Sequence, residues 1–185
     1  MTLDIIKDDL LADVTHGFFT RKGGASSGVF AGLNCGFGSS DQHDIVAINR
    51  SRVAEAMGGA STDMVGVHQI HSADVVTVTA PTSDKPKADT MVTATAGITL
   101  SVLTADCQPV LFADTSAGVL GAAHAGWQGA LGGVVDNTIE ASGTLGAQRA
   151  PILPRVRHVV RARAHGAGTA LRGRFTRLGG GHRRV

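Results

Sequence analysis

The sequence has no tyrosine, one tryptophan and only two cysteines in 185 residues. Two cysteines do not make a disulfide framework, so Cys35 and Cys107 read as free thiols or metal ligands in a reducing compartment. No apolar run approaches the roughly 18 residues of a membrane span. The opening residues, MTLDIIKDDL, lack the basic start and apolar stretch of a secretory leader. Cytoplasm is therefore the default expectation. Acidic residues also stop early, since none follows Glu140.

What is present is a chain with 43% hydrophobic residues, long enough for one domain with a sizeable core. Its net charge of +2 averages two unlike parts. Residues 1–148 hold all fifteen acids and seven Lys or Arg, a net of −8, whereas residues 149–185 hold ten Arg, no Lys and no acid, a net of +10. A basic tail of that kind ordinarily suggests nucleic-acid binding. Here only Phe175 is available for base stacking, which argues against an evolved nucleic-acid reader.

The opening segment, IIKDDLLADVTHGFFT, reads as short edge strands. RKGGASSGVFAGLNCGFGSSD, rich in Gly, Ser and Asn, reads as a long structured loop of the kind that carries function. Asp44–Met57 has helical apolar spacing with Gly58-Gly59 as its stop. MVGVHQI and DVVTVTA read as strands, Asp84–Lys87 as a turn, and ITLSVLTA, PVLFAD and GVLGAAHA as three more strands. ALGGVVDNTIEASGTLGA reads as helical despite its glycines. The expectation is a mixed α/β (α+β) domain.

Three places collect chemistry. His68 and His71 lie three apart, so on an extended strand only one of them would enter a shared site. Cys107 and His124 are each expected near the C-terminal end of an apolar strand, where polar residues make poor core and good site material. Two imidazoles and one thiolate suit a borderline-soft metal and leave a fourth position for water or substrate. Asp106 can orient a histidine or act as an acid or base, although strand alternation would turn it away from Cys107. Other readings stay open: Cys107 as a small buried hydrophobe, His68 as a structural histidine, and Cys107 with His124 as a nucleophilic pair. Arg21 and Lys22, beside Gly23-Gly24, are either an anion site or solvated charge. GVFAGLNCG has the wrong glycine spacing for a dinucleotide fingerprint.

Seven stretches then carry a resemblance: HGFFTRKGG (16–24), Leu33–Gly36, Asn49-Arg50, GVHQIH (66–71), Ala88-Asp89, TADCQP (104–109) and AHAGWQG (123–129). In this order, across about residues 14–147, they are similar to the YfiH-like or laccase-domain family. That family is also described as multicopper polyphenol oxidases and as purine nucleoside phosphorylases. The resemblance implies a zinc held by His71, Cys107 and His124, with copper as an alternative. It implies a layered α/β/α fold with a mixed central sheet, like the catalytic domain of cytotoxic necrotizing factor. It implies phosphorolysis of adenosine, inosine, guanosine and 5′-methylthioadenosine, with adenosine deamination besides. Copper-dependent phenol oxidation, and a Cys–His hydrolase tied to peptidoglycan precursor editing, are the alternatives. One mononuclear site with 8 histidines in the whole chain fits a multicopper relay poorly. For a purine reaction, Arg21 is the candidate for the phosphate or ribose side, Asn34 and Gln69 for ribose or base, and Asp106 for acid–base work. A nucleoside and phosphate are the expected partners, with a monomer or a homodimer both open, and neither membrane nor nucleic acid is expected.

Two departures stand out. Gln128 occupies a position where the family usually has Arg. After Ala147 the family's GPCI-like and YEV-like stretches are absent, so 1–148 reads as a C-terminally incomplete domain. The Arg/Gly-rich 149–185 reads as the product of a coding frame that slipped near codon 148. An incomplete domain would leave an apolar sheet edge exposed.

Overall fold

The computed structural model describes residues 2–148 and 155–156. At the start, β1 (Ile5–Ile6) and β2 (Phe18–Phe19) pair antiparallel as a small ribbon. The helix α1 (His43–Ala56) follows the Gly-rich loop and stops where Gly58 takes a left-handed φ of 76°. Then come β3 (Met64–Val65), β4 (Val75–Thr77), β5 (Thr90–Thr93) and β6 (Thr99–Leu100). The two longest strands, β7 (Gln108–Asp114) and β8 (Val119–Ala125), form a hairpin. Two helices, α2 (Trp127–Leu131) and α3 (Val134–Thr144), precede a short strand, β9 (Arg155–Val156).

The main sheet has the order β4-β5-β8-β7-β9, with β4 parallel to β5 and the other neighbours antiparallel. A second, two-stranded parallel pair joins β3 to β6. Strand alternation sends Val110, Phe112, Val119 and Ala123 to one face, where Val134 of α3 covers them. Met91 faces the other way and packs with Val65, Val78 and Ile98. The architecture is thus a mixed α/β fold with a mixed central sheet and flanking helices. Among the described residues, no helix is long and apolar enough to cross a membrane.

The Gly-rich loop is tied down by one buried amide. Asn49 of α1 accepts from the Ala25 N–H at 2.7 Å and donates to Ser26 Oγ and the Asn34 carbonyl at 2.9 and 2.8 Å. Gly24 lies against Gly32 so closely that a Cβ there would sit 2.0 Å from the Gly32 carbonyl. The loop is a folded part of the molecule.

The helix expected at Asp44–Met57, the hairpin strands and the loop are found with shifts of a residue or so. Other boundaries differ. The strands expected over MVGVHQI, DVVTVTA and ITLSVLTA shrink to 2, 3 and 2 residues. Their remaining residues bond irregularly, as in the His68 N–H to Pro86 carbonyl contact. The single helix expected after Gly129 is two, because Gly133 adopts φ 87° and interrupts it. β5, the strand between β4 and β8, has no counterpart in the sequence reading. Most of the Arg/Gly-rich tail lies outside the described residues. Within it, Val156 pairs with Val110 and Arg155 with Leu111, so β9 covers the outer edge of β7.

Candidate metal centre

The centre is built where the 66–72 segment, the start of β7 and the end of β8 meet. His124 is the next-to-last residue of β8 and is buried. Cys107 stands immediately before β7, not at the end of an apolar strand as the sequence suggested. His71 lies on the irregular chain after β3 with φ 63°, the one non-glycine residue with a left-handed backbone among those described. Such a conformation costs on the order of 1–3 kcal/mol and persists only where neighbours impose it.

The neighbour that imposes it is Asp89. This fully buried carboxylate accepts from three successive backbone N–H groups, Ile70 (3.1 Å), His71 (3.0 Å) and Ser72 (2.6 Å). It also accepts from the Ser72 hydroxyl (3.0 Å) and from His124 Nδ1 (2.8 Å). Burial works against its charge, but these bonds, that of His124 foremost, outweigh it and hold the carboxyl below the ordinary value. With Nδ1 donating to this anion, His124 keeps the lone pair on Nε2. A histidine oriented by a carboxylate is the usual supporting arrangement of a metal ligand.

One donor atom from each of His71, Cys107 and His124 lies within 4.8 Å of the others. The two imidazoles meet edge to face with centroids 5.0 Å apart. Gly126 closes the cradle. A Cβ there would stand 2.7 Å from His71 Nδ1 and 3.3 Å from Cys107 Sγ, so only glycine leaves the space open. Two imidazoles, one thiol, a carboxylate-held histidine and an unfilled cradle fit a metal ion. The protein therefore has a potential metal-binding site at these three residues.

The thiol argues in the same direction. Burial pushes the Cys107 pKa up, and the adjacent Asp106 charge adds to it. An activated nucleophile needs the opposite shift, whereas a bound cation would take the proton's place. Asp106 was expected to turn away. Because 105–107 is a bend rather than a strand, alternation does not apply, and the Cys107 thiol points to Asp106 Oδ1 at 3.7 Å.

The other candidates are placed differently. Gln69 donates to the Leu103 carbonyl at 2.7 Å and accepts from the Leu103 N–H at 2.8 Å, joining the two segments that carry His71 and Cys107. The Asn34 amide is engaged inside the loop, donating to Ser39 Oγ and Asp41 and accepting from the Gly36 N–H. Lys22 pairs with Asp4 at 3.3 Å. Arg21 is exposed, and its backbone carbonyl accepts from the Leu33 N–H at 2.8 Å. His68 is exposed and outside the cluster. Asp89 is the residue to which sequence reasoning gave no role. Its signal was position alone, in a matched dipeptide between a turn and an apolar stretch.

Residues 15–180 match the family model described as multi-copper polyphenol oxidoreductase laccase. A purine nucleoside phosphorylase of Deinococcus radiodurans is 47% identical over 135 residues, 73% of this chain and 52% of that protein. One from Streptomyces coelicolor is 40% identical over 159 residues, 85% of this chain and 66% of that protein. The chain thus spans about half to two thirds of the length of these relatives. The crystal structure of YlmD from Geobacillus stearothermophilus superposes with a TM-score of 0.87 at 26% identity, covering 96% of this chain and 70% of that one.

Proposed function

The chain belongs to this laccase-domain, YfiH-like family, and from that premise we propose that it is a metal-dependent enzyme whose centre is His71, Cys107 and His124, acting on purine nucleosides by phosphorolysis. The observation that carries the metal is the His124–Asp89 pair behind a glycine-lined cradle. The substrate class comes from the relatives, which are purine nucleoside phosphorylases.

His71, Cys107 and His124 would hold the ion, and Asp89 would keep His124 in the tautomer that offers Nε2. A bound zinc supplies Lewis acidity toward the purine or a water, the latter suiting adenosine deamination. Asp106, exposed beside Cys107, would hold or deliver a proton at the departing base. Gln69, by clasping Leu103, keeps the two ligand-bearing segments in register. The test is metal content together with phosphate-dependent cleavage of adenosine and inosine. Cys107→Ala should lose both. A full equivalent of metal retained in that variant would reject Cys107 as a ligand, and no cleavage by the metal-loaded wild type would reject the reaction.

Copper is favoured by the donor set itself. A His2Cys core is the composition of a copper-type centre, and it matches copper at least as well as zinc. The second reading is therefore copper-dependent oxidation of phenols, in keeping with the family's description. The copper-loaded protein would then show a visible thiolate-to-copper absorption that Cys107→Ser abolishes. It would also consume oxygen with a phenol, and absence of both sinks this reading.

A further inference from the structure

Away from the metal ligands, a group of cations stands around one aromatic ring. The guanidinium carbon of Arg50 lies 5.4 Å from the centroid of Phe37, and Lys85 Nζ lies 5.3 Å from the same centroid. His43, at the start of α1, stacks on that ring at 5.0 Å. The described ion pairs are Lys22–Asp4 and His124–Asp89, so neither Arg50 nor Lys85 has a carboxylate within pairing distance among the described residues. Asp41, close by in sequence, is committed to Ser26, Asn34 and the Gln42 N–H.

This arrangement is costly as it stands. Arg50 is half-buried, and its two terminal nitrogens reach only the Cys35 and Met64 carbonyls, each at a long 3.4 Å. Burial works against the charge of both Arg50 and Lys85, and Arg50 repels Lys85 besides. The nearby Cys35 thiol does not supply the missing negative charge, because its burial holds it protonated. Two cations that share one aromatic ring, with no carboxylate partner among the described residues, suit an anion. A guanidinium fork beside an ammonium is the pairing that suits phosphate oxygens.

The location ties the group to the metal centre. Gly36, next to Phe37, lies against Leu103, where a Cβ would be 3.5 Å from Leu103 Cδ1. Leu103 is the residue clasped by Gln69, two positions before His71. On the other side Pro86, next to Lys85, accepts from the His68 N–H at 3.0 Å.

We propose that Arg50 and Lys85, gathered at Phe37, form a subsite for a phosphate dianion, either inorganic phosphate or the phosphate of a sugar ester. The choice of phosphate rests on the phosphorolysis reading. The subsite deepens that reading by moving the phosphate from Arg21 to these two residues.

The test is calorimetric titration of the full chain with inorganic phosphate and, separately, with ribose 1-phosphate. Lys85 is exposed, so Lys85→Ala should fold like the wild type, which thermal unfolding checks. It should weaken phosphate binding about tenfold, and Lys85→Arg should restore it. Arg50→Lys, which keeps charge but removes the fork, should weaken it as well. Tighter binding of ribose 1-phosphate supports the subsite as one for the ester, and equal binding supports it as one for the free anion. No binding of either by the wild type overturns the inference. So does unchanged affinity in Lys85→Ala, or loss confined to Arg21→Ala. Phosphate binding that depends on Lys85, without nucleoside cleavage, would leave the subsite standing and remove the phosphorolysis reading. Phosphorolysis whose phosphate KM is unchanged in Lys85→Ala would do the reverse.

Discussion

Asp89 does more for the centre than its distance from solvent suggests. Replacing it by Asn keeps the size but removes the charge that fixes His124. Metal affinity should fall roughly 10- to 100-fold, read by competition with a chelating dye. Replacing it by Ala strands three part-buried backbone donors and a buried imidazole, and should cost about 3 kcal/mol in a denaturant titration. Gly126→Ala makes a complementary test. Its methyl group would occupy the cradle, so metal content should collapse while the unfolding midpoint moves little. The three candidate ligands were legible because His and Cys beside apolar runs are unusual, and because the family resemblance named them together. Asp89 was not, since an aspartate next to a turn reads as a turn residue. Its role depends on contacts 17 to 19 positions upstream and 35 downstream, which no local pattern records.

At the scale of elements, β7 and β8 were readable because each is a long apolar run and a Thr-Ser turn separates them. β5 was not. TMVT is short and buried on every residue, so it shows no alternation, and threonines at both ends give it the polarity of a loop. The broken strands at 64–70 and 98–105 failed for the converse reason: they look like strands, but their chain is bent to bring His71 and Cys107 together. Asp114 at the end of β7 has its own consequence. Its carboxylate accepts from the Gln148 N–H and from the Ala117 and Ser116 N–H groups of the turn. The Gln148 bond foremost, these hold its pKa below the ordinary value against a smaller opposing effect of burial. The sign follows from linkage. Stability from this group is fully present above the unfolded value of about 3.9 and is lost as pH falls through the lower folded value. Asp114→Asn should therefore be less stable than the wild type at neutral pH. The difference should narrow in acid unfolding curves followed below pH 4.

For the whole molecule, the main sheet is completed on one side by two residues of the Arg-rich tail. Sequence composition set that tail apart, and its backbone pairing could not be read from it because Arg-Val carries no strand signature. Removing residues 149–185 would strip β9 from β7 and leave that edge without its partner. The expected result is self-association with exposure of the strand, seen as a rise in light scattering at micromolar concentration. A fully monomeric truncation would show that β9 is dispensable. The loop of residues 21–41 is held against α1 by Asn49, with Arg50 and Arg52 adding bonds to the Cys35 and Gly23 carbonyls. Asn49→Ala should lower stability by about 2–3 kcal/mol and open the loop to proteolysis.

The left-handed turn at His71 has a bearing on how the protein matures. Asp89 is satisfied by peptide hydrogens and an imidazole of the chain itself, so the ligand segment acquires its shape while the polypeptide folds. Loading of a metal at the proposed centre would then be a late event on a finished scaffold, unlike that of small domains which condense around their ion. A newly made chain would wait, correctly folded, for whichever ion the cell delivers. Supply, as much as the three donors, would then decide which chemistry it performs.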